Sequence, residues 1–461
     1  MSLSHQKAGI SWAFCCVRRS IDVLLETVRY LKGHSPPTIT ETLTKMRLHA
    51  LLLPGSLSLS LAAATTTTST SSSKTIPSPD ANGKYWLNTT HLSLAFIPYG
   101  ASITNLILAD KHGKPLDIVA GYDNATAYTL DAAHPHFGSV PGRYANRIKN
   151  SSFTLFPDGS AEGEEAITYH VTPNENPTPS HPKGVDTLHG GPDGWDYRNF
   201  SVVAYTPDSS ITFGIVDPDG KEGFPGEVIS YITYTVSGNQ WDINMVAIPT
   251  TKQTPIMLSS HTYWNLDGFE REDALDHELW MPFAGMRVGV DGILIPTGEI
   301  LANERGGMND FWSRPKRIGE ALEKGEKRKG LEGNCGTGCT GYDNCYIHSL
   351  RSSSSDDWRQ PSQMVARLSS PHSGIKLAVY SDQDAFQMYS CNQQKGDVPL
   401  KWTQGTDDRR TIPQYGCVVL EVQDWIDGIN HPEWGRTKKQ VFAPGGDPYV
   451  LQARYVFGVD K

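Results

Sequence analysis

Five short segments gather chemically capable side chains between apolar runs. Gly142-Arg143-Tyr144-Ala145-Asn146-Arg147-Ile148 sets two arginines and an asparagine beside a glycine. Thr187-Leu188-His189-Gly190-Gly191 places a histidine before a glycine pair, where backbone can approach a ligand closely. Ser259-Ser260-His261-Thr262-Tyr263-Trp264-Asn265-Leu266 puts a second histidine among aromatics. Gly341-Tyr342-Asp343-Asn344 supplies a carboxylate after a glycine-rich loop, and Val419-Leu420-Glu421-Val422-Gln423 sets a glutamate in an apolar strand. A histidine titrates near neutral pH and a glutamate is ordinarily ionised there. Such a pair can give a proton to one substrate oxygen while taking a proton from another. Arginine and aspartate grip hydroxyls through charge-assisted hydrogen bonds. Taken singly, each segment also has a bland reading: a satisfied core histidine, a solvated strand-end glutamate, a loop organised by arginine.

The elements around these residues read as strands. Residues 228–236 are rich in β-branched and aromatic side chains, 237–239 signal a turn, and 240–248 alternate polar and apolar, which predicts a β-hairpin. Similar strands are expected at 92–97, 201–205, 211–215, 375–380 and 417–422. One short helix is expected at 317–324. No strand-helix alternation and no glycine-rich loop between strand and helix occurs, which excludes the nucleotide-binding α/β folds. The expected fold is all-β, one large antiparallel β-sandwich over residues 84–461, with surface insertions at 326–340 and 352–363.

Composition agrees. The chain of 461 residues is 38% hydrophobic and 20% charged, an ordinary globular balance. Its 43 glycines, 30 prolines and 10% aromatics fit a turn-rich β protein. A net charge of −9 without a basic stripe argues against nucleic acid as a partner.

Residues 46–64 carry a basic residue, a short apolar stretch and an Ala62-Ala63-Ala64 ending, the pattern of a secretory signal and too short to span a bilayer. Residues 1–45 read as an extension upstream of that signal. The tract 65–83 opens on a Thr/Ser run and is expected to be a linker. Export is the expectation, and four Asn-X-Ser/Thr sequons at Asn88, Asn124, Asn150 and Asn199 agree with it. Five cysteines follow residue 64, an odd number that leaves a thiol free. Cys335 and Cys339 share a loop and can form a local disulfide. A metal reading of Cys335, Cys339 and Cys345 lacks paired spacing and a completing histidine.

Together and in this order, the five segments resemble the aldose 1-epimerase (galactose mutarotase) family, whose pattern runs GRxxNRI, LHGG, a His-[ST]-[YF]-[WF]-N-L segment, GYD, and a strand ending in Glu-x-Gln. Lesser matches are Glu222-Gly223-Phe224-Pro225-Gly226, Pro296-Thr297-Gly298, Asp310-Phe311 and Phe386-Gln387-Met388-Tyr389. The resemblance spans roughly residues 84–460. It implies the family's β-sandwich and interconversion of the α and β anomers of free hexoses. His261 then matches the general acid towards the ring oxygen, and Glu421 the general base towards the anomeric hydroxyl. Asn146, Arg147, His189, Asp343 and Gln387 match sugar-binding positions, and Tyr263 and Trp264 are expected to shape the pocket. No metal, nucleotide or redox cofactor is required, and neither a membrane nor a protein partner is expected; a monomer is. Three other readings stand beside this one. A glycosidase would use Asp343 and Glu421 but leaves Arg147, His189 and His261 idle. A hexose 6-phosphate epimerase would need further cations for the phosphate. A non-catalytic sugar-binding protein would keep the cleft without turnover.

Overall fold

The structure, a computed structural model, describes residues 76–131, 136–156, 166–323, 333–348 and 357–460. The expected upstream extension, signal and first part of the linker lie outside the described residues. So do residues 326–332 and 352–356 of the two expected insertions.

The predicted hairpin forms from Val228–Ser237 and Gln240–Pro249, joined at Gly238, whose φ of +58° suits the tight turn. Its alternation is a burial code: Ile232, Tyr234, Trp241, Ile243 and Met245 point inward while their neighbours face outward. The hairpin is the middle of a nine-stranded antiparallel sheet. On one side Ser210–Asp217 and Ser201–Thr206 continue it. On the other, the long C-terminal strand Tyr449–Val459 pairs with Gln240–Pro249 and then with Ile375–Ser381. The sandwich expectation holds.

A second, six-stranded sheet runs in the order Tyr263–Trp264, Val418–Gln423, Ala385–Tyr389, Asp343–Ile347, Met286–Val290, Pro296–Ala302. One face of it joins the main core. Trp264, Leu420, Val422, Phe386 and Met388 are buried there. The Trp264 ring packs 5.8 Å from Tyr455 and 6.1 Å from Phe457 of the C-terminal strand. Since successive side chains alternate across a strand, the residues between them are turned to the opposite face. Cross-strand pairing sets Tyr263 opposite Val419, Glu421 opposite Gln387, and Asp343 opposite Tyr389. Directly opposed residues share a face. Apolar packing on one side therefore fixes Glu421, Gln387, Asp343 and Tyr263 on the other.

The helix expected at 317–324 is not an α-helix. Lys316–Arg317 pairs as a short strand and Ile318–Ala321 makes a single 3₁₀ turn. Gly319 lies so near Leu275 that a Cβ there would stand 2.9 Å from the Leu275 Cβ, and this close tertiary packing overrides the local helical pattern. Among the described residues, two short α-helices occur elsewhere. Ala125–Leu130 is capped by Asn124, whose side chain accepts from the Thr126 N–H at 2.8 Å, and Thr437–Gln440 lies before the last strands. No helix among the described residues is long and apolar enough to cross a membrane.

Candidate active site

A two-stranded ribbon brings the first two motifs together. Arg147 pairs with Leu188 and Ile148 with Thr187. This apposes Asn146 and His189, whose backbones both adopt left-handed φ values of 61° and 53°. The His189 N–H donates to the Asn146 carbonyl at 3.1 Å. In return the Asn146 N–H donates to Nδ1 of His189 at 3.0 Å. Nδ1 is thus an acceptor, which leaves the ring proton of neutral His189 on Nε2 as a donor.

The glycines after His189 make room for neighbouring chain. A Cβ on Gly190 would meet the Gly142 carbonyl oxygen at 2.1 Å, and one on Gly191 would meet the Glu222 carboxylate at 2.9 Å. They let the two motif loops pack on each other. The two arginines of the first motif also separate. Arg143 is buried and structural: Nε donates to Asp217 at 2.8 Å, and Nη1 to the carbonyls of Pro225 and Gly226, both at 2.8 Å. That accounts for the Glu222–Gly226 match. Arg147 instead belongs to the site and is steadied by Glu175 at 3.2 Å.

The six-stranded sheet contributes the rest. His261 Nε2 lies 3.6 Å from Glu421 Oε1, both groups being buried. Gln387 Nε2 donates to Asp343 Oδ1 at 2.6 Å. The His189 and His261 rings meet edge to face at 5.2 Å, and Tyr263 lies 5.0 Å from His261. Every expected site residue is thus in one neighbourhood except Trp264, which belongs to the core behind it.

Four buried polar atoms in this group have no hydrogen-bond partner: Arg147 Nε, His261 Nδ1, Gln387 Oε1 and Glu421 Oε2. Leaving buried polar atoms unpaired is costly, so their concentration marks a surface made for a polar ligand. Burial pushes the Glu421 carboxyl up to about 8; Asp343 adds to the rise and Arg147 opposes it. Burial likewise raises Asp343, against Arg147 and the Gln387 hydrogen bond. Burial holds His261 well below the ordinary histidine value, with the charge of His136 acting in the same direction. At neutral pH the His261–Glu421 pair therefore carries one proton, resting on Glu421. The sequence reading placed that proton on His261. The two are tautomers of one state and differ only in where the shared proton sits.

His189, His261 and Glu421 each offer an atom within 4.8 Å of the others, a spacing open to a metal. Neither nitrogen of His189 suits one, because Nδ1 is taken by the Asn146 amide and Nε2 carries the proton. Cys335 is bonded to Cys339, so neither is free to ligate a metal as a thiolate. Cys345 is a buried free thiol raised to about 12 by burial. A second disulfide, Cys391–Cys417, was not legible in the sequence. The sequence reading also missed Glu175 behind Arg147, and a third histidine, His136, whose ring lies 4.9 Å from that of His189.

A β-sandwich that gathers a histidine, a glutamate, an aspartate and an arginine into one buried polar group has the means for acid/base chemistry on a polar ligand. Residues 84–447 match the family model described as aldose 1-epimerase. The chain is 39% identical over 401 residues to a probable aldose 1-epimerase of Arthroderma benhamiae, covering 81% of this chain and 86% of that one. It is 31% identical over 354 residues to the galactose mutarotase of Rattus norvegicus, covering 76% and 88%. The crystal structure of a GalM/aldose epimerase homologue from C. elegans matches with a TM-score of 0.65 at 27% identity, over 83% of this chain and 100% of that one. The chain belongs to the aldose 1-epimerase family and is an isomerase acting on carbohydrates.

Proposed function

We propose that this enzyme interconverts the anomers of free hexoses such as glucose and galactose, with His261 and Glu421 as its acid/base pair. The observation that carries this reading is the 3.6 Å approach of the two groups in a buried site. Mutarotation opens a cyclic hemiacetal and closes it on the other face. Opening needs a proton delivered to the ring oxygen and one removed from the anomeric hydroxyl, so the enzyme's proton count is unchanged. A pair sharing one proton meets that need. On substrate binding the proton shifts to His261, which donates to the ring oxygen while Glu421 accepts from the anomeric hydroxyl. Rotation about the C1–C2 bond then presents the other carbonyl face, and the same two transfers run backwards. Each placed acid or base contributes about 10²- to 10⁴-fold.

Arg147, His189, Asn146, Asp343 and Gln387 hold the hydroxyls while the C1 end moves. The Nε2 proton of His189 and the unpaired Arg147 Nε are donors for sugar oxygens, and Asp343 is an acceptor. No cofactor enters these steps.

The enzyme acts outside the cell, as a glycoprotein and a monomer, with residues 84–461 as its catalytic domain. Support for export comes from the signal pattern at 46–64, from two disulfides, and from four sequons whose asparagines are all exposed. Polarimetry on freshly dissolved α-D-glucose and α-D-galactose tests the activity. Faster relaxation to the same final rotation is expected; a rate equal to buffer with both sugars overturns the reading.

A further inference from the structure

His136 takes no part in the steps above, yet it is built into the site. Its ring lies 4.9 Å from His189 and 5.5 Å from His261. Its Nδ1 is 2.5 Å from Oδ2 of Asp196, a carboxylate with 2% of its surface exposed. The Tyr197 hydroxyl rests 3.1 Å from both ring nitrogens. Asp196 accepts only, so Nδ1 carries the proton between them.

The backbone fixes this ring against the catalytic strand. The Gly138 N–H donates to the His261 carbonyl at 3.0 Å, and the His261 N–H donates to the Ser139 carbonyl at 2.9 Å. Ser139 Oγ in turn donates to the His136 carbonyl at 3.0 Å. Phe137 meets Tyr263 edge to face at 5.0 Å. His136 itself has a φ of +58°, a left-handed conformation that a β-carbon makes unfavourable. Asn146 and His189 share that signature. The His136 side chain retains 18% exposure against 8% for His261, so of the two it is the more accessible.

We propose that His136, clamped by Asp196, is a specificity-determining residue that hydrogen-bonds one hydroxyl of the sugar held beside His189 and His261. The inference rests on the mutarotase reading for its substrate class. With Nδ1 tied to Asp196, the ring keeps a fixed orientation towards its ligand. A site that hydrogen-bonds a particular hydroxyl rejects sugars lacking it, because its own polar group is then left unpaired.

The test compares His136→Phe, His136→Gln and Asp196→Asn with the unaltered enzyme. Each is assayed by polarimetry on D-galactose, D-glucose and a series of their monodeoxy analogues. For the parent sugars His136→Phe is expected to raise KM by about 10- to 100-fold with kcat nearly kept. His136→Gln, whose amide oxygen can replace the Nε2 acceptor, recovers part of that loss, and Asp196→Asn lies between. One analogue, lacking the contacted hydroxyl, already shows the loss with the unaltered enzyme and gains none in His136→Phe. An unchanged KM in both His136 variants overturns the proposal. So does an equal loss of kcat on every sugar and every analogue, which is the mark of a merely structural residue. If the unaltered enzyme accelerates no sugar, the mutarotase reading has failed, and calorimetric titration with galactose decides about His136. Weaker binding by His136→Phe upholds its contact with sugar; equal binding, or none by either protein, overturns it.

Discussion

The Nε2 atom of His261 stands 3.6 Å from Oε1 of Glu421, which lies on a strand whose opposite face is locked into the main core. Tyr263 pairs with Val419, so the strand after His261 is hydrogen-bonded to the strand bearing Glu421. Glu421, the proposed base, is thus placed by apolar packing behind its strand. One buried pair with one proton is the chemical unit that results.

That unit sets the pH dependence. The pair works while it holds a single proton. It loses that proton as pH rises through the raised value of Glu421, about 8. It gains a second only when His261 protonates, well below the ordinary histidine value of about 6.5. Polarimetric kcat/KM should therefore be flat across neutral pH, fall above about 8, and persist below about 6.5. An acid limb centred at an ordinary histidine value, with no alkaline limb, contradicts this.

The same shift bears on stability. A carboxyl whose folded-state pKa is raised binds its proton more tightly when folded, so its cost appears as pH rises above the unfolded value and is complete above the folded one. For Glu421 that window runs from about 4.5 to about 8. Glu421→Gln should be more stable than the unaltered protein by about 1–2 kcal/mol at alkaline pH, and the gain should vanish in acid. Thermal unfolding at three pH values measures it.

The two arginines of the first motif should fail in different ways. Arg143→Ala strands the buried Asp217 and several carbonyls, and should cost about 3–5 kcal/mol of stability. Arg147→Ala should leave the melting temperature within a few degrees and raise KM for hexoses by about tenfold or more. Asp343→Asn should behave like Arg147→Ala. Melting curves and initial rates separate the two classes.

Cys391 follows the strand of Gln387 and Cys417 precedes the strand of Glu421, each four residues from the site residue. Their disulfide closes a 26-residue separation, worth about 3–4 kcal/mol on the chain-entropy model. The double variant Cys391→Ala, Cys417→Ala should melt lower by that margin and lose activity earlier on heating. The Cys335–Cys339 bridge, closing four residues, should matter less.

Much of this was legible in the sequence, for identifiable reasons. Strict alternation in 228–248 could only be one half-buried hairpin, and it is. That His261, Glu421, Arg147, His189, Asn146 and Asp343 would gather was legible because five motifs occur in a fixed order, with Gln387 added by a lesser match. What escaped was whatever depends on three-dimensional apposition. Cys391 and Cys417 meet only because two adjacent strands end side by side. Gly190 was read as room for a ligand, but the neighbour that needs the room is the Gly142 backbone. His136 has no motif of its own, and its relation to Asp196, sixty residues on, exists only in the fold. The helix expected at 317–324 failed because Gly319 is spent on contact with Leu275.

The most direct test of the account is Glu421→Gln, assayed by polarimetry and by calorimetric titration with galactose. The substitution keeps shape and removes the group that exchanges the proton. The account predicts sugar binding within a few-fold of the unaltered enzyme and a loss of kcat of about 10²-fold or more. Turnover at the unaltered rate, with binding intact, would remove Glu421 from the mechanism and with it the shared-proton pair.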